Sequence, residues 1–187
     1  MTEIWLIRHG QTDWNLARRF QGQSDIALNQ TGIRQAYSCA DKLAKVNFEA
    51  VYASDLLRAH KTAEIISAPH KLEIKADPRL REICMGVWEG QFFDDVHAKY
   101  GDSLMEGPRD PSQPRVEGGE SFLQVAQRMS AAADDIANLH PQGKVLLVSH
   151  GLAVAVLFCL ARDIPITQAN KYIPDNTAAL QINWPKI

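Results

Sequence analysis

The chain has 187 residues, 45% of them hydrophobic, enough for one sizeable core and too short for two of ordinary size. Its 22 acidic and 20 basic residues leave a net charge of −2, which provides no electrostatic footprint for nucleic acid or an anionic membrane. The three cysteines, Cys39, Cys84 and Cys159, are far apart and form no metal-like pair, so they read as free thiols of a reducing compartment. The chain enters a strand pattern directly, without a basic, cleavable leader, and its longest apolar run, Leu152 to Ala161, is too short to span a bilayer. A soluble, cytoplasmic protein is expected.

Taken in order, Glu3 to Arg8 predicts a first strand, with Ile4 to Ile7 mostly apolar and buried. It ends in Arg8-His9-Gly10, where Gly10 permits a sharp turn. A loop rich in turn formers follows, Phe20 to Asp25. Thr31 is the expected N-cap of a helix from Gly32 to about Lys45, whose Ile33, Ala36, Tyr37, Ala40, Leu43 and Ala44 make one apolar stripe. Ala50 to Ala53 is the next short strand, and Ser54-Asp55 are placed to cap a helix that carries Arg58 and ends near Ser67. Leu72 to Ala76 alternates apolar and charged residues as a half-buried strand does.

A turn at Gly86 follows Arg79-Leu80-Arg81-Glu82. Residues 89–119 are irregular and rich in proline and glycine, a length of connection that is usually functional and is expected here to be a lid. Ser121-x-x-Gln124 fits a capping box for a helix with Phe122, Val125, Ala126, Met129, Ala132, Ala133 and Ile136 on one face. Val145 to Val148 is a continuous apolar strand, followed by Ser149-His150-Gly151 and a helix apolar on all sides. Ala178 to Asn183 closes the chain as a peripheral strand. Alternating strands and helices predict an α/β fold, a three-layer α/β/α sandwich with a mainly parallel mixed sheet. No repeat or linker interrupts residues 1–187, so one domain with a lid at about 89–119 is expected.

Two strand-His-Gly elements suggest two imidazoles facing one crevice at the carboxyl ends of strands, where open α/β sheets place ligands. With Arg8 and Arg58 they would form a group of two guanidiniums and two imidazoles. Planar guanidinium forks suit tetrahedral oxyanions, and carboxylates fit them too. A neutral imidazole is a competent nucleophile toward phosphorus, and fixed cations around the equatorial oxygens neutralise charge without a metal.

The motifs Arg8-His9-Gly10-Gln11-Thr12 with Trp14-Asn15, Ser54-x-x-x-Arg58-Ala59-x-x-Thr62-Ala63, Leu80-Arg81-Glu82 with Gly86 and Trp88-Glu89-Gly90, and Ser149-His150-Gly151 stand in this order along nearly the whole chain. Together they resemble the histidine phosphatase superfamily, the phosphoglycerate mutase-like proteins. The resemblance implies that His9 is the nucleophile and becomes a phosphohistidine, and that Arg8, Arg58 and His150 bind the phosphoryl group and stabilise its transition state. It implies further hydrogen bonds to that group from Asn15 and the backbone near Gly151. It makes Glu82 the acid that protonates the leaving alkoxide and the base that then takes a proton from water. His9 must be unprotonated to attack, so the rate is expected to fall at acid pH as His9 protonates.

Other readings stand beside these. Glu89 is a rival to Glu82; Asn15 could cap a helix; Gln21 and Gly22 either touch substrate or only turn the chain. His60, His70, His97 and His140 are expected to be solvated or satisfied locally, Trp5 and Trp88 to be packing, and Cys84 to be a small apolar filler. No His/Cys/Asp cluster has metal-ligand spacing, so no metal and no cofactor are expected.

Two activities share such a site: a mutase returns the phosphoryl group to a bound sugar acid, and a phosphatase gives it to water. The cofactor-dependent mutases resemble this chain but carry a longer insertion after the acid. Here Gln91 to Glu117 is short, with Lys99, Arg109 and Arg115 as its bases and Phe92, Phe93, Tyr100 and Met105 as candidate walls of an apolar pocket. The short lid favours a phosphatase, and the Gln21-Gly22 and Trp88-Glu89-Gly90 context is similar to bacterial broad-specificity and α-ribazole phosphatases. The expected partner is a small phosphorylated metabolite, with no nucleic acid and no membrane; a homodimer is compatible with the sequence. A mutase and a non-catalytic phospho-ligand binding protein are the alternatives.

Overall fold

The computed structural model describes residues 1–101 and 108–185. Their sheet has the order β3-β2-β4-β1-β5, built from β1 (Thr2–Arg8), β2 (Ala50–Ala53), β3 (Ile74–Ala76), β4 (Lys144–Ser149) and β5 (Ala179–Trp184). β1, β4, β2 and β3 run parallel, and β5 closes the edge beside β1 as an antiparallel strand. Parallel strands need long crossovers, which α2 (Gln30–Leu43), α3 (Leu57–Ser67) and α5 (Phe122–Leu139) supply, while α6 (Gly151–Ala161) leads from β4 to the antiparallel β5. Two short helices, α1 (Asp13–Leu16) and α4 (Phe93–Tyr100), lie outside this frame.

Side chains alternate across each strand and so sort the core into two halves. Ile4, Leu6, Val145 and Leu147 pack with Phe122, Val125 and Met129 of α5 and with the wholly apolar α6. Ile7, Val51, Leu146 and Val148 face the other way, onto Cys39 and Leu43 of α2 and Ala59, Ala63 and Ile66 of α3. The expected three-layer α/β/α sandwich with a mainly parallel mixed sheet is therefore what forms, β5 being its peripheral strand.

Local expectations differ from the structure at several ends. The N-cap of α2 is Asn29, not Thr31; its side chain accepts the N–H of Gly32 at 2.9 Å, so the helix starts at Gln30. Asn29 wins because it is also tied to the first loop, through its N–H to the Gln11 carbonyl at 3.0 Å. α3 has Leu56 as its N-cap with no side-chain cap of its own. Its Leu57 N–H is taken instead by Asp25 Oδ1 at 2.7 Å, from a loop far away in sequence. The capping box at Ser121 and Gln124 forms as expected.

Gly10 is needed for a different reason than a turn. Its φ is not positive, but a Cβ there would lie 2.5 Å from the Gly32 carbonyl oxygen, so the loop after β1 packs directly on the start of α2. The stretch 89–119 is not wholly irregular: it contains α4, on which Phe93 begins the helix. Met105 and the neighbouring residues 102–107 lie outside the described residues. Among the described residues no helix is long and apolar enough to cross a membrane.

Candidate active site

Three adjacent parallel strands deliver the site. β1 and β4 are paired up to Arg8 opposite Ser149, and the His9 N–H donates to the Ser149 carbonyl at 2.9 Å. The residue that leaves each strand is a histidine, so His9 and His150 stand side by side with ring centroids 5.2 Å apart. β2 ends beside them at Ser54, whose N–H donates to the Val148 carbonyl. Arg58 sits in the first turn of α3, completely buried, and its Nε–H donates to His9 Nε2 at 3.3 Å.

The tautomer of His9 follows from its partner. Nδ1 lies 2.7 Å from the Gly10 carbonyl oxygen, which can only accept. The proton therefore resides on Nδ1, and Nε2 keeps its lone pair toward Arg58. Burial, and then the Arg58 and Arg8 guanidiniums, hold the ring well below the ordinary imidazole range. His150 is held low by burial first and by Arg58 next. Both rings are thus neutral at neutral pH.

The two guanidiniums are fixed by backbone oxygens. Arg58 donates from Nη1 to the Ser24 carbonyl and from Nη2 to the Gly22 carbonyl, each at 2.7 Å. Together with Nε this uses three of its five N–H groups, and two remain. Arg8 donates from Nη1 to the Pro174 carbonyl at 2.8 Å. Its Nε is buried without a partner, and so is Nδ1 of His150. Buried polar atoms are rarely left unpaired. Two of them in one cationic crevice fit an anion with several acceptor oxygens.

Glu82 faces the same crevice. Its carboxylate accepts the N–H groups of Ile83 at 2.9 Å, Leu152 at 3.2 Å and Ala153 at 3.1 Å, so it rests on the first turn of α6. It lines a cavity of about 500 Å³ together with Arg8 and Gly151. Its apolar lining is Phe20, Met85, Trp88, Phe93, Val116 and Ile173, with Arg115 and Lys171 also on the lining. Of the expected apolar walls, Phe93 is there. Phe92 is turned to the surface under the Arg19 guanidinium, 3.9 Å from its ring centre. Tyr100 meets Trp88 edge-on at 5.3 Å.

The remaining expected residues take supporting places. Asn15 forms a capping box with Thr12 at the start of α1: its Oδ1 accepts the Thr12 N–H at 3.1 Å. Gln21 Oε1 accepts the Thr12 hydroxyl at 3.0 Å, and Gly22, with φ of 50°, turns its carbonyl onto Arg58. Glu89, the rival acid, has both oxygens engaged away from the histidines. It accepts the N–H groups of Gln23 and Met85 and the Ser24 hydroxyl, and so pins the loop whose carbonyls hold Arg58.

Several contributors carry no sequence signal of their own. Asn176 Nδ2 donates to the His9 carbonyl at 2.8 Å from the segment before β5. Arg128 on α5 clamps the peptide that carries Glu82, donating to the carbonyls of Arg79 at 2.7 Å, Arg81 at 2.6 Å and Glu82 at 3.0 Å while paired with Glu120. Ser54, expected with Asp55 to cap α3, does not cap it, and Thr62 stood inside a motif without an assigned part. Ser54 reaches His150, and Thr62 accepts the Gly10 N–H at 3.0 Å while donating to the Arg58 carbonyl at 2.7 Å.

The chain is similar to known proteins along most of its length. The family model for the histidine phosphatase superfamily, branch 1, matches residues 4–186. A probable phosphoglycerate mutase GpmB of Erwinia tasmaniensis is 40% identical over 168 residues, covering 88% of this chain and 77% of that protein. Among solved structures, a mycobacterial glucosyl-3-phosphoglycerate phosphatase in complex with VO3 superimposes with a TM-score of 0.88 at 30% identity, over 97% of this chain and 90% of that one. A mutant phosphoserine phosphatase of Entamoeba histolytica in complex with phosphoserine gives 0.85 at 29% identity, over 97% and 90%. A third neighbour, Bacillus stearothermophilus YhfR, gives 0.85 at 32% identity, over 98% and 91%. With a match along almost its whole length and the two histidines and two arginines gathered at one crevice, the chain belongs to branch 1 of the histidine phosphatase superfamily.

Proposed function

We propose that this protein is a phosphomonoesterase that needs no metal and hydrolyses small phosphorylated metabolites through a phosphohistidine on His9. The observation that carries the reading is the state of His9: neutral, buried, proton pinned on Nδ1 by the Gly10 carbonyl, lone pair on Nε2 beside Arg58. In the first step Nε2 bonds to phosphorus and the P–O bond to the alcohol breaks. The leaving oxygen takes its proton from Glu82, and the ring keeps its Nδ1–H to Gly10. In the second step water bonds to phosphorus, Glu82 takes the water's proton, and the P–N bond breaks to restore neutral His9. Arg8, Arg58 and His150 hold the equatorial oxygens throughout, which is where positioning and charge neutralisation act in phosphoryl transfer.

The leaving alcohol lies toward the cavity beyond Glu82. Phe20, Trp88, Phe93 and Val116 on its wall offer apolar contact and few hydrogen bonds. This favours release to water over retention of a sugar acid. A mutase reading rests on the name carried by the curated relatives and on Arg115 and Lys171 at the cavity. A coupled assay separates the two: the phosphatase reading expects no bisphosphoglycerate-dependent isomerisation of phosphoglycerate.

The direct test is p-nitrophenyl phosphate with a panel of phosphorylated metabolites in the presence of a chelator. Release of phosphate is expected, His9→Ala should abolish it, and an acid-labile phosphoenzyme should be trapped on the wild type. No release from any ester overturns the assignment and leaves the binding-protein alternative.

A further inference from the structure

The two histidines are both buried and neutral, yet their outer partners differ in kind. His9 Nδ1 meets a carbonyl oxygen, whereas His150 Nε2 lies 2.8 Å from a hydroxyl, Ser54 Oγ. A carbonyl can only accept; a hydroxyl can do either, so its other bonds decide. Ser54 Oγ already accepts the N–H of Leu56 at 3.3 Å. Ser54 is completely buried, so water cannot take its proton, and His150 Nε2 is the acceptor in reach.

Suppose the ring proton sat on Nε2 instead. Two N–H groups would then converge on one hydroxyl oxygen, and the hydroxyl proton would be left unpaired in the interior, at a cost of about 1–3 kcal/mol. The hydrogen bond made at one ring nitrogen sets which nitrogen carries the proton. A hydroxyl donating to Nε2 places the ring proton on Nδ1. That nitrogen is the buried, unpartnered one, in the crevice with His9 and the unpartnered Nε of Arg8.

We propose that Ser54 is a positioning residue whose hydroxyl donates to His150 Nε2, fixes the neutral ring as its Nδ1–H tautomer and so makes His150 a hydrogen-bond donor to the phosphoryl oxygens. The two imidazoles thereby present opposite faces to one phosphorus: a lone pair from His9 and an N–H from His150. The direction of the donor rests on the phosphatase reading; the tautomer itself does not.

Long-range ¹⁵N–¹H correlation on ¹⁵N-histidine-labelled full-length protein tests this at neutral pH, with and without inorganic phosphate. The His150 ring signals are identified by their loss in His150→Asn. The expected pattern is a protonated Nδ1 and a bare Nε2, with the Nδ1–H resonance moving when phosphate is added. Ser54→Ala should change that pattern and lower kcat on p-nitrophenyl phosphate about 10–100-fold, the usual cost of losing a partner that orients a ligating histidine. Ser54→Thr, which keeps a hydroxyl, should restore both. A wild-type His150 protonated on Nε2 overturns the proposal, and this needs no variant to fold. An Nδ1–H that ignores saturating phosphate overturns the donor role. An unchanged tautomer and kcat in folded Ser54→Ala overturn the part given to Ser54. A protein with the expected ring pattern that releases no phosphate from any ester loses the phosphatase reading and keeps the tautomer.

Discussion

Arg58 shows what one residue must do at this site. Its guanidinium is completely buried, and desolvation alone would make a bare charge there costly. The Gly22 and Ser24 carbonyls and His9 Nε2 offset that cost and also fix the fork. A lysine keeps the charge but cannot span three acceptors while offering two more donors. Arg58→Lys should therefore fold and lower kcat on p-nitrophenyl phosphate about 10²–10³-fold, the loss typical of one transition-state donor. Steady-state rates beside a thermal melt would check this. His9 carries a pH prediction of its own. The expected acid fall in rate still follows from its chemistry, but burial and the two arginines displace the fall well below the ordinary imidazole value of about 6.5. The kcat/KM for p-nitrophenyl phosphate should show no His9 inflection between pH 7 and 6; one near 6.5 would contradict the neutral, buried ring.

At the level of elements, what was legible is what short-range pattern encodes. Apolar runs at Ile4 to Ile7 and Val145 to Val148 mark strands whichever partners they find, and each ends in His-Gly where the sheet opens. The convergence of His9, His150 and Arg58 is therefore readable. The caps of α2 and α3 were not, because Asn29 and Asp25 earn those positions through contacts with Gln11 and Leu57 that only the folded chain creates. Asn176 and Arg128 escaped for the same reason: a side chain that serves a carbonyl carries no motif. The Gly10–Gly32 approach gives this scale its prediction. A methyl group at Gly10 would meet the Gly32 carbonyl at 2.5 Å, with backbone on both sides and no flexible side chain to yield. Gly10→Ala should destabilise the fold by about 1–3 kcal/mol, as overpacking does. It should also reduce activity, since the loop it displaces carries the carbonyl that orients His9. Urea unfolding and p-nitrophenyl phosphate turnover would read the two effects separately.

For the molecule as a whole, the site makes folding itself sensitive to acid. His9 and His150 are both buried and both depressed, by desolvation first and by the arginine charges next. In the unfolded chain each regains the ordinary value near 6.5. Between that pH and their lower folded values the unfolded chain binds more protons than the folded one. Stability must then rise with pH, or equivalently fall as the solution is acidified below about 6.5. Each such histidine contributes a slope approaching about 1.4 kcal/mol per pH unit once fully protonated in the unfolded state, so the pair approaches about 2.7. Over this interval the carboxylates of the unfolded chain, with ordinary values near 4, stay ionised and add little. Thermal or urea unfolding at pH 7.5, 6.5 and 5.5 should show the decline beginning near 6.5 and steepening toward 5.5. His9→Ala removes one of these rings and should lower the slope clearly, with His150 and His70, which burial also depresses, supplying what remains. An equal slope in that variant, or a flat wild-type profile down to pH 5.5, would mean that the rings are not held neutral in the fold. The nucleophile proposed here, His9, would then lack its ready lone pair.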